Sequence, residues 1–128
     1  MDQATSIAEL ALRLAVGTVF LVHGLQKRAF WTTQPSEQLP SGMIKLLRFL
    51  SIVEPLGGVA MLAGFLTRPA AIGLSIIMVG AINLKARQMK KGFTGDGGWD
   101  LDFMVLAANV ALLLLGAGPW SLDGVLRI

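Results

Sequence analysis

The sequence contains no cysteine and only one histidine, His23. Without cysteine, this chain cannot form disulfides, thiolate metal sites, CxxC redox centres or iron–sulfur ligation. Because there is only one histidine, a single chain cannot ligate a haem through two histidines. We therefore expect no metal site and no intrinsic cofactor.

Charge is also scarce. Only 15% of the 128 residues are charged, whereas soluble domains carry about 25%. Hydrophobic residues make up 54% of the chain and the mean hydropathy is +0.66. The charged residues lie in short connectors between long apolar stretches, which is typical of segments that span a bilayer. The length allows one domain, so we predict a single membrane domain over residues 1–128.

The net charge of +3 and the isoelectric point near 9.8 have two interpretations. A basic protein can bind nucleic acid, but basic residues in membrane proteins gather on the cytoplasmic side and near anionic lipid. We favour the second interpretation and predict membrane lipid as a partner and no nucleic acid.

Four apolar segments predict an all-α fold, a four-transmembrane-helix antiparallel bundle. The fourth is flanked by Trp99 and Trp120, roughly 31 Å apart along a helix and so matched to the hydrocarbon thickness. Only Thr67-Arg68-Pro69 separates the second and third, which predicts a helical hairpin. The predicted helices lie at about residues 7–25, 44–66, 70–84 and 101–115.

The orientation of the bundle follows from the distribution of lysine and arginine. The N-terminus lacks a signal-peptide pattern, because its first charges are Asp2 and Glu9, so we expect the first segment to be retained. Arg68 and Arg127 lie on one side, and most other basic residues lie on the other. The excess of lysine and arginine on that side predicts that the first and third connectors are cytoplasmic and that both termini lie outside the cytoplasm.

Polar residues occur inside the apolar segments, where an ionisable side chain is costly and is therefore a functional hypothesis. Helical spacing places them on faces that also carry glycine, so we predict that these faces lie between helices. Their depths divide them into two sets. The first is a buried polar core of Arg13, Glu54 and Asn109, and the second is a cytoplasmic rim of His23, Lys27, Asn83 and Asp102.

The core set has a structural and a functional interpretation. We expect Arg13 and Glu54 to lie close together, directly or through water, and such a pair either fixes the register of the helices or serves a function. Pro55 removes the hydrogen bond to the Ser51 carbonyl beside Glu54. A kink at this point suits a ligand site, although proline kinks are common in membrane helices.

The rim set is open to the same two interpretations. If the rim is structural, Asp102 is a first-turn carboxylate favoured by the helix dipole and His23 is an ordinary interfacial histidine. If it is functional, the rim is a small-molecule site in which the carboxylate orients the imidazole. Residues 92–98 are then expected to fold over it.

Several short motifs together resemble the DoxX family of membrane proteins. The resemblance covers almost the whole chain, and its specificity comes from the order and spacing of the motifs. They are RLAVG at 13–17, FLVHGLQK at 20–27, EPLGG at 54–58, GFLTRPAA at 64–71, WDLD at 99–102 and GPWSLD at 118–123.

The resemblance implies a four-helix protein of a bacterial or archaeal cell membrane. Some members are small subunits of quinone-linked oxidoreductases, including thiosulfate:quinone oxidoreductase, and others associate with enzymes of oxidative-stress defence. Distant eukaryotic relatives resemble membrane chaperones. Members often carry a histidine near the end of the third helix, where this chain has Asn83-Leu84-Lys85, so that histidine does not carry over.

Three functions are compatible with these patterns. The first is an accessory or quinone-associated subunit of a membrane oxidoreductase, with donors from His23, Lys27 and Asn83 and the catalytic centre in a protein partner. The second is an assembly or scaffold protein, acting with a partner or as a homo-oligomer. The third is a small transporter, although four-helix multidrug transporters carry their key acid in the first helix and Glu54 is in the second.

Overall fold

The computed structural model describes residues 3–128, and all regular secondary structure in this part of the chain is helical. The predicted all-α class is therefore confirmed. A 3₁₀ turn at Lys27–Trp31 follows the first helix, and a π-helical turn at Leu84–Gln88 follows the third. The helices are α1 (Gln3–Gln26), α2 (Ser41–Ala63), α3 (Thr67–Asn83), α4 (Asp100–Leu115) and the unpredicted short helix α5 (Leu122–Leu126).

Three of the helical segments are long and apolar enough to cross a membrane. They cover residues 3–31, 41–63 and 67–88, each including any adjoining turn. The helix α4 has 16 residues and is about 24 Å long at 1.5 Å per residue. It is shorter than the other three segments, so the fourth span stays a prediction.

Large apolar side chains point outward from the long helices. Leu56 on α2 is 66% exposed, Ile76 on α3 is 67% exposed and Leu114 on α4 is 75% exposed. Charged and polar residues, by contrast, are among the most deeply buried, including Glu9, Arg13 and Asn109. An apolar exterior around buried polar groups is what a lipid environment favours.

The four long helices form two antiparallel pairs, α1 with α2 and α3 with α4, which pack together along α1–α4 and α2–α3. Glycine sets the distance between α1 and α2. A Cβ atom built on Gly58 would lie 2.7 Å from the Gly17 carbonyl oxygen, and one on Gly24 would overlap the Pro55 ring. This backbone approach, typical of membrane helices, fixes the register of the pair.

The turn between α2 and α3 differs from the predicted one. Helix α2 ends at Ala63, because Gly64 adopts a left-handed conformation (φ 70°) in which glycine is favoured. Helix α3 then begins at Thr67, so Pro69 lies in its first turn, where a backbone N–H is not needed. The connector is thus residues 64–66.

The C-terminal segment closes this turn. The Asp123 carboxylate accepts hydrogen bonds from the backbone N–H groups of Leu66 (2.7 Å) and Thr67 (2.8 Å), and the Asp123 N–H donates to the Gly64 carbonyl (2.9 Å). A carboxylate at the start of a helix satisfies free donors and favours the helix dipole. The start of α3 is therefore capped from the far end of the chain.

The glycine contact between α1 and α2 predicts that Gly58→Ala is destabilising. The added methyl group has no room against the α1 backbone, and overpacking of this kind costs about 1–3 kcal/mol. Gly73→Ala is the matched control, since a Cβ at this helical position meets nothing within 4 Å. Thermal unfolding in detergent should show a lower midpoint for the first variant only. Equal midpoints would show that the helices do not approach this closely.

Candidate functional site

Two ion pairs lie toward the end of the bundle where α1 and α3 finish, one with Asp102 in the first turn of α4 and one with Glu54 midway along α2. Lys27 Nζ is 2.7 Å from Glu54 Oε2, and Lys85 Nζ is 2.7 Å from Asp102 Oδ2. We call this the basic end, because most of the lysines and arginines lie there. They are Lys27, Arg28, Lys45, Arg48, Lys85, Arg87, Lys90 and Lys91.

Each ion pair joins the two helices of one antiparallel pair. The Glu54 side chain is 3% exposed and that of Asp102 is 10% exposed, while both lysines are more open. A carboxylate buried in this way needs a neutralising partner. The lysine stems extend along the bundle so that the ammonium groups reach both the carboxylate and the surface.

The position of Glu54 follows from the close approach of Gly24 to Pro55. It brings the buried face of α2 level with the end of α1, where Lys27 starts the 3₁₀ turn. Trp31, at the end of that turn, donates from Nε1 to Ser51 Oγ (2.8 Å) and packs against the Arg48 guanidinium. The turn is thus tied to α2 at its start by Lys27 and at its end by Trp31.

The partner of Asp102 is Lys85, two residues beyond Asn83, which we predicted for the rim. Asn83 is exposed on α3, so the structure does not bring it to Asp102. Lys85 lies in the π-helical turn that follows Asn83. Such turns are frequent at functional sites.

His23 is half-buried on α1, one turn before Lys27. The glycine-rich segment 92–98, which we expected to fold over the rim, packs against the start of α4. Its Phe93 ring meets Trp99 and Phe103 edge to face, with centroids 4.7 and 6.0 Å away. A closure of this segment over His23 stays a prediction.

The predicted pair of Arg13 and Glu54 is wrong, although both residues are buried as expected. Arg13 lies level with Met61 and Leu62, about two turns of α2 away from Glu54, and Lys27 takes the carboxylate instead. The prediction was wrong because it estimated the depth of each residue from the ends of its own helix. Those ends do not reveal the register that the glycine contacts impose between α1 and α2.

Arg13 donates all its hydrogen bonds to backbone carbonyl groups. Nε donates to Ala117 (3.1 Å), Nη2 to Trp120 (2.6 Å), and Nη1 to Met61 (3.2 Å) and Leu62 (3.3 Å). These carbonyls belong to the last turn of α2 and to the chain after α4. A fully buried guanidinium held in this way connects α1 to the end of α2 and to the chain after α4. Arg13 is therefore a structural group.

Two acidic residues near Arg13 were not among the predicted site residues. Both Glu9 and Asp123 attract the guanidinium, and Glu9 is completely buried, with no hydrogen bond to either oxygen within residues 3–128. A Cβ on Gly118 would lie 2.5 Å from Glu9 Oε2, so only glycine fits there. The spacing of Glu9 and Arg13, four residues apart on one helix, was the available signal.

Asn109 is fully buried on α4, as predicted, between the two ends of the bundle. Its Nδ2 donates to the Val105 carbonyl of the preceding turn (3.1 Å), while Oδ1 has no partner within residues 3–128. No hydrogen bond joins Asn109 to Arg13 or to Glu54 within the described residues. The predicted core is three separate polar positions.

The two ends offer different chemistry. At Arg13 four of the five N–H donors are used by backbone carbonyl groups. At the basic end Lys27 and Lys85 each have one carboxylate partner and further N–H donors, which can reach the acceptor of a ligand. Among residues 3–128, no three histidine, cysteine or acidic side chains are grouped as a metal site would need. The basic end is therefore the candidate site, with Lys27, Glu54, Lys85 and Asp102 as its charged groups.

Comparison with known proteins identifies relatives along most of the chain. The sequence model of the DoxX family matches residues 8–87. A Mycobacterium tuberculosis protein, described as an uncharacterized membrane protein, is 36% identical over 89% of this chain and 78% of its own. CatD of Bacillus subtilis, provisionally named an oxidoreductase, is 31% identical over 96% of this chain and 90% of its own. No solved structure is significantly similar.

The ion pairs predict a coupling that a double-mutant cycle can measure. Lys27→Met and Glu54→Leu should each lower the free energy of unfolding by about 3 kcal/mol, because each leaves a buried or half-buried charge unpaired. The double variant should recover about 1–3 kcal/mol of the summed loss. Chemical unfolding in detergent gives these values.

The matched control is the cycle of Arg13→Leu with Glu54→Leu. These two residues do not touch, so their losses should add to within about 0.5 kcal/mol. A coupling in this cycle, together with none between Lys27 and Glu54, would contradict the register described above.

Proposed function

Because the chain belongs to the DoxX family of membrane proteins, we propose that it is an accessory subunit of a membrane oxidoreductase system and holds a quinone headgroup at the basic end. The observation that carries the proposal is the pair of lysine–carboxylate contacts, which places two ammonium donors at one end of an apolar bundle. A quinone needs such donors for its carbonyl groups and an apolar surface for its tail.

The residues present fit a quinone in number and kind. Lys27 and Lys85 would each donate to a carbonyl oxygen while staying near Glu54 and Asp102, and the half-buried His23 is one turn away as a third donor. Donation from a charged group strengthens such a hydrogen bond. The carboxylates hold the ammonium groups in position, so that the donors are ready before the ligand arrives.

The electron transfer itself is assigned to a partner protein. The sequence has no flavin, haem or iron–sulfur motif, and an oxidised quinone would accept electrons from the partner's redox centre. The provisional naming of CatD as an oxidoreductase supports a redox setting. The role of this chain is then to bind and orient the headgroup at the edge of the bilayer.

The proposal includes a topology with four spans in a bacterial cell membrane. The outward face of α4 is apolar from Met104 to Leu114, and Trp99 and Trp120 flank the helix as interfacial anchors. Its buried face packs along α3, which is one of the three long spans. The basic end is proposed to be cytoplasmic.

The topology predicts that both termini are outside the cytoplasm. A reporter that is active only in the cytoplasm, fused after Ile128, should be silent, whereas the same reporter inserted at Gly95 in the third connector should be active. Activity after Ile128 would overturn the orientation, and activity at both positions would show that α4 does not cross the membrane.

Quinone binding predicts that quinone co-purifies in mild detergent and that the lysines retain it. The double variant Lys27→Met/Glu54→Leu removes a donor without leaving a buried carboxylate unpaired, and should lower extracted quinone about tenfold or more, since a hydrogen bond from a charged donor contributes about 1.5–3 kcal/mol. Arg28→Gln, at the exposed neighbouring position, is the control and should retain quinone. Quantitative extraction and chromatography measure both.

His23→Leu provides an independent arm of the same experiment. It should lower bound quinone while the unfolding midpoint stays close to that of the unaltered chain. Unchanged quinone content in both variants would exclude the basic end as the binding site. Purification with a stable partner protein and no quinone would favour the scaffold function instead.

A further inference from the structure

A second site lies at the opposite end of the bundle from the proposed quinone site. There, the turn between α2 and α3 and the C-terminal segment enclose an open cleft of about 500 Å³. Arg68 and Arg127 line the cleft together with apolar side chains, among them Leu66, Leu115 and Ile128. The cleft therefore combines positive charge with an apolar lining.

The distribution of basic residues makes the two arginines unusual. Of the 11 lysines and arginines, eight are at the basic end and Arg13 is buried within the fold. The remaining two, Arg68 and Arg127, are both exposed and line this one cleft. Their convergence from distant parts of the chain concentrates positive charge where the protein otherwise has little.

Both guanidinium groups have donors to spare. Arg68 donates from Nε to the Leu113 carbonyl (3.1 Å) and from Nη2 to the Leu114 carbonyl (3.5 Å), which leaves three of its five N–H groups. Arg127 follows the last turn of α5 in a left-handed conformation, and no hydrogen bond or ion pair engages its side chain within residues 3–128.

Asp123, the acidic residue of the cleft, does not compete for the arginines. Both of its oxygens accept backbone N–H groups at the start of α3. The helix terminus thus offsets its charge, and the two guanidinium groups are left to bind an anion.

The surroundings indicate that the anion is attached to a hydrocarbon chain. The cleft opens where the spans α2 and α3 end, which is the depth of lipid headgroups. Apolar side chains beside it are exposed, including Val125 (73%) and Ile128 (68%), and Trp120 is close by in the chain. A free anion would leave these apolar surfaces exposed, whereas an acyl chain would cover them.

We propose that this cleft binds an anionic phospholipid, whose phosphate lies between Arg68 and Arg127 and whose acyl chain packs along Leu66, Leu115 and Ile128. Guanidinium groups suit a phosphate because they donate two parallel hydrogen bonds to its oxygens. The site is independent of quinone binding and of the basic end.

The test uses the full chain, delipidated in dodecyl maltoside and then given phosphatidylglycerol or phosphatidylcholine in mixed micelles. Native mass spectrometry counts the retained lipid. One phosphatidylglycerol should be retained in preference to phosphatidylcholine. Arg127→Gln should weaken retention about fivefold and Arg68→Gln/Arg127→Gln about 25-fold, as expected for roughly 1 kcal/mol per arginine at a membrane surface.

The control Arg87→Gln/Lys90→Gln removes two exposed charges from the basic end and should retain lipid fully. Because Arg68 also holds the end of α4, the single variant Arg127→Gln decides the question if the double variant is unstable. Equal retention of both lipids, or equal loss in the control, would overturn the proposal. Displacement of the lipid by millimolar inorganic phosphate would show that the site takes free phosphate.

Discussion

The guanidinium of Arg13 is fully buried where α1, the last turn of α2 and the chain after α4 meet, and this end of the bundle is organised around it. It connects α1 with the last turn of α2 and with the chain that follows α4 through four carbonyl groups. That chain then places Asp123 at the start of α3. In an apolar medium these contacts cannot be exchanged for water, so the charge and the carbonyls hold one another in place.

The opposite end is organised by a different principle. There, the buried carboxylates of Glu54 and Asp102 are neutralised by the long, flexible side chains of Lys27 and Lys85. A lysine can rotate its ammonium group toward a new acceptor without moving the backbone, while an arginine held by several carbonyls cannot. The bundle thus has one fixed end and one adaptable end, which is the arrangement expected of a protein that must stay folded while a ligand or partner binds.

The sequence was sufficient to predict the helical class, the membrane location and the family, because these depend on hydropathy and on motif order. It identified Arg13, Glu54 and Asn109 as buried, since polar residues on glycine-bearing faces are turned inward. The sequence did not predict which side chains or carbonyl groups these residues contact. The register of α1 on α2 depends on how Gly24 meets Pro55, and the position of Lys85 depends on a π-helical turn, neither of which leaves a periodic signal. Glu9 was overlooked because it was counted as a flanking charge of the first segment.

The two ion pairs have a consequence for biogenesis. Lys27 and Glu54 both belong to the hairpin of α1 and α2, and Lys85 and Asp102 both belong to the hairpin of α3 and α4. Neither carboxylate needs the other half of the molecule. In the proposed four-span topology, each hairpin can therefore leave the insertion machinery with its acidic side chain already neutralised, so that the cost of placing a charge in lipid is met within the unit that is being inserted. The carbonyl groups after α4 that bind Arg13, by contrast, require both halves of the molecule.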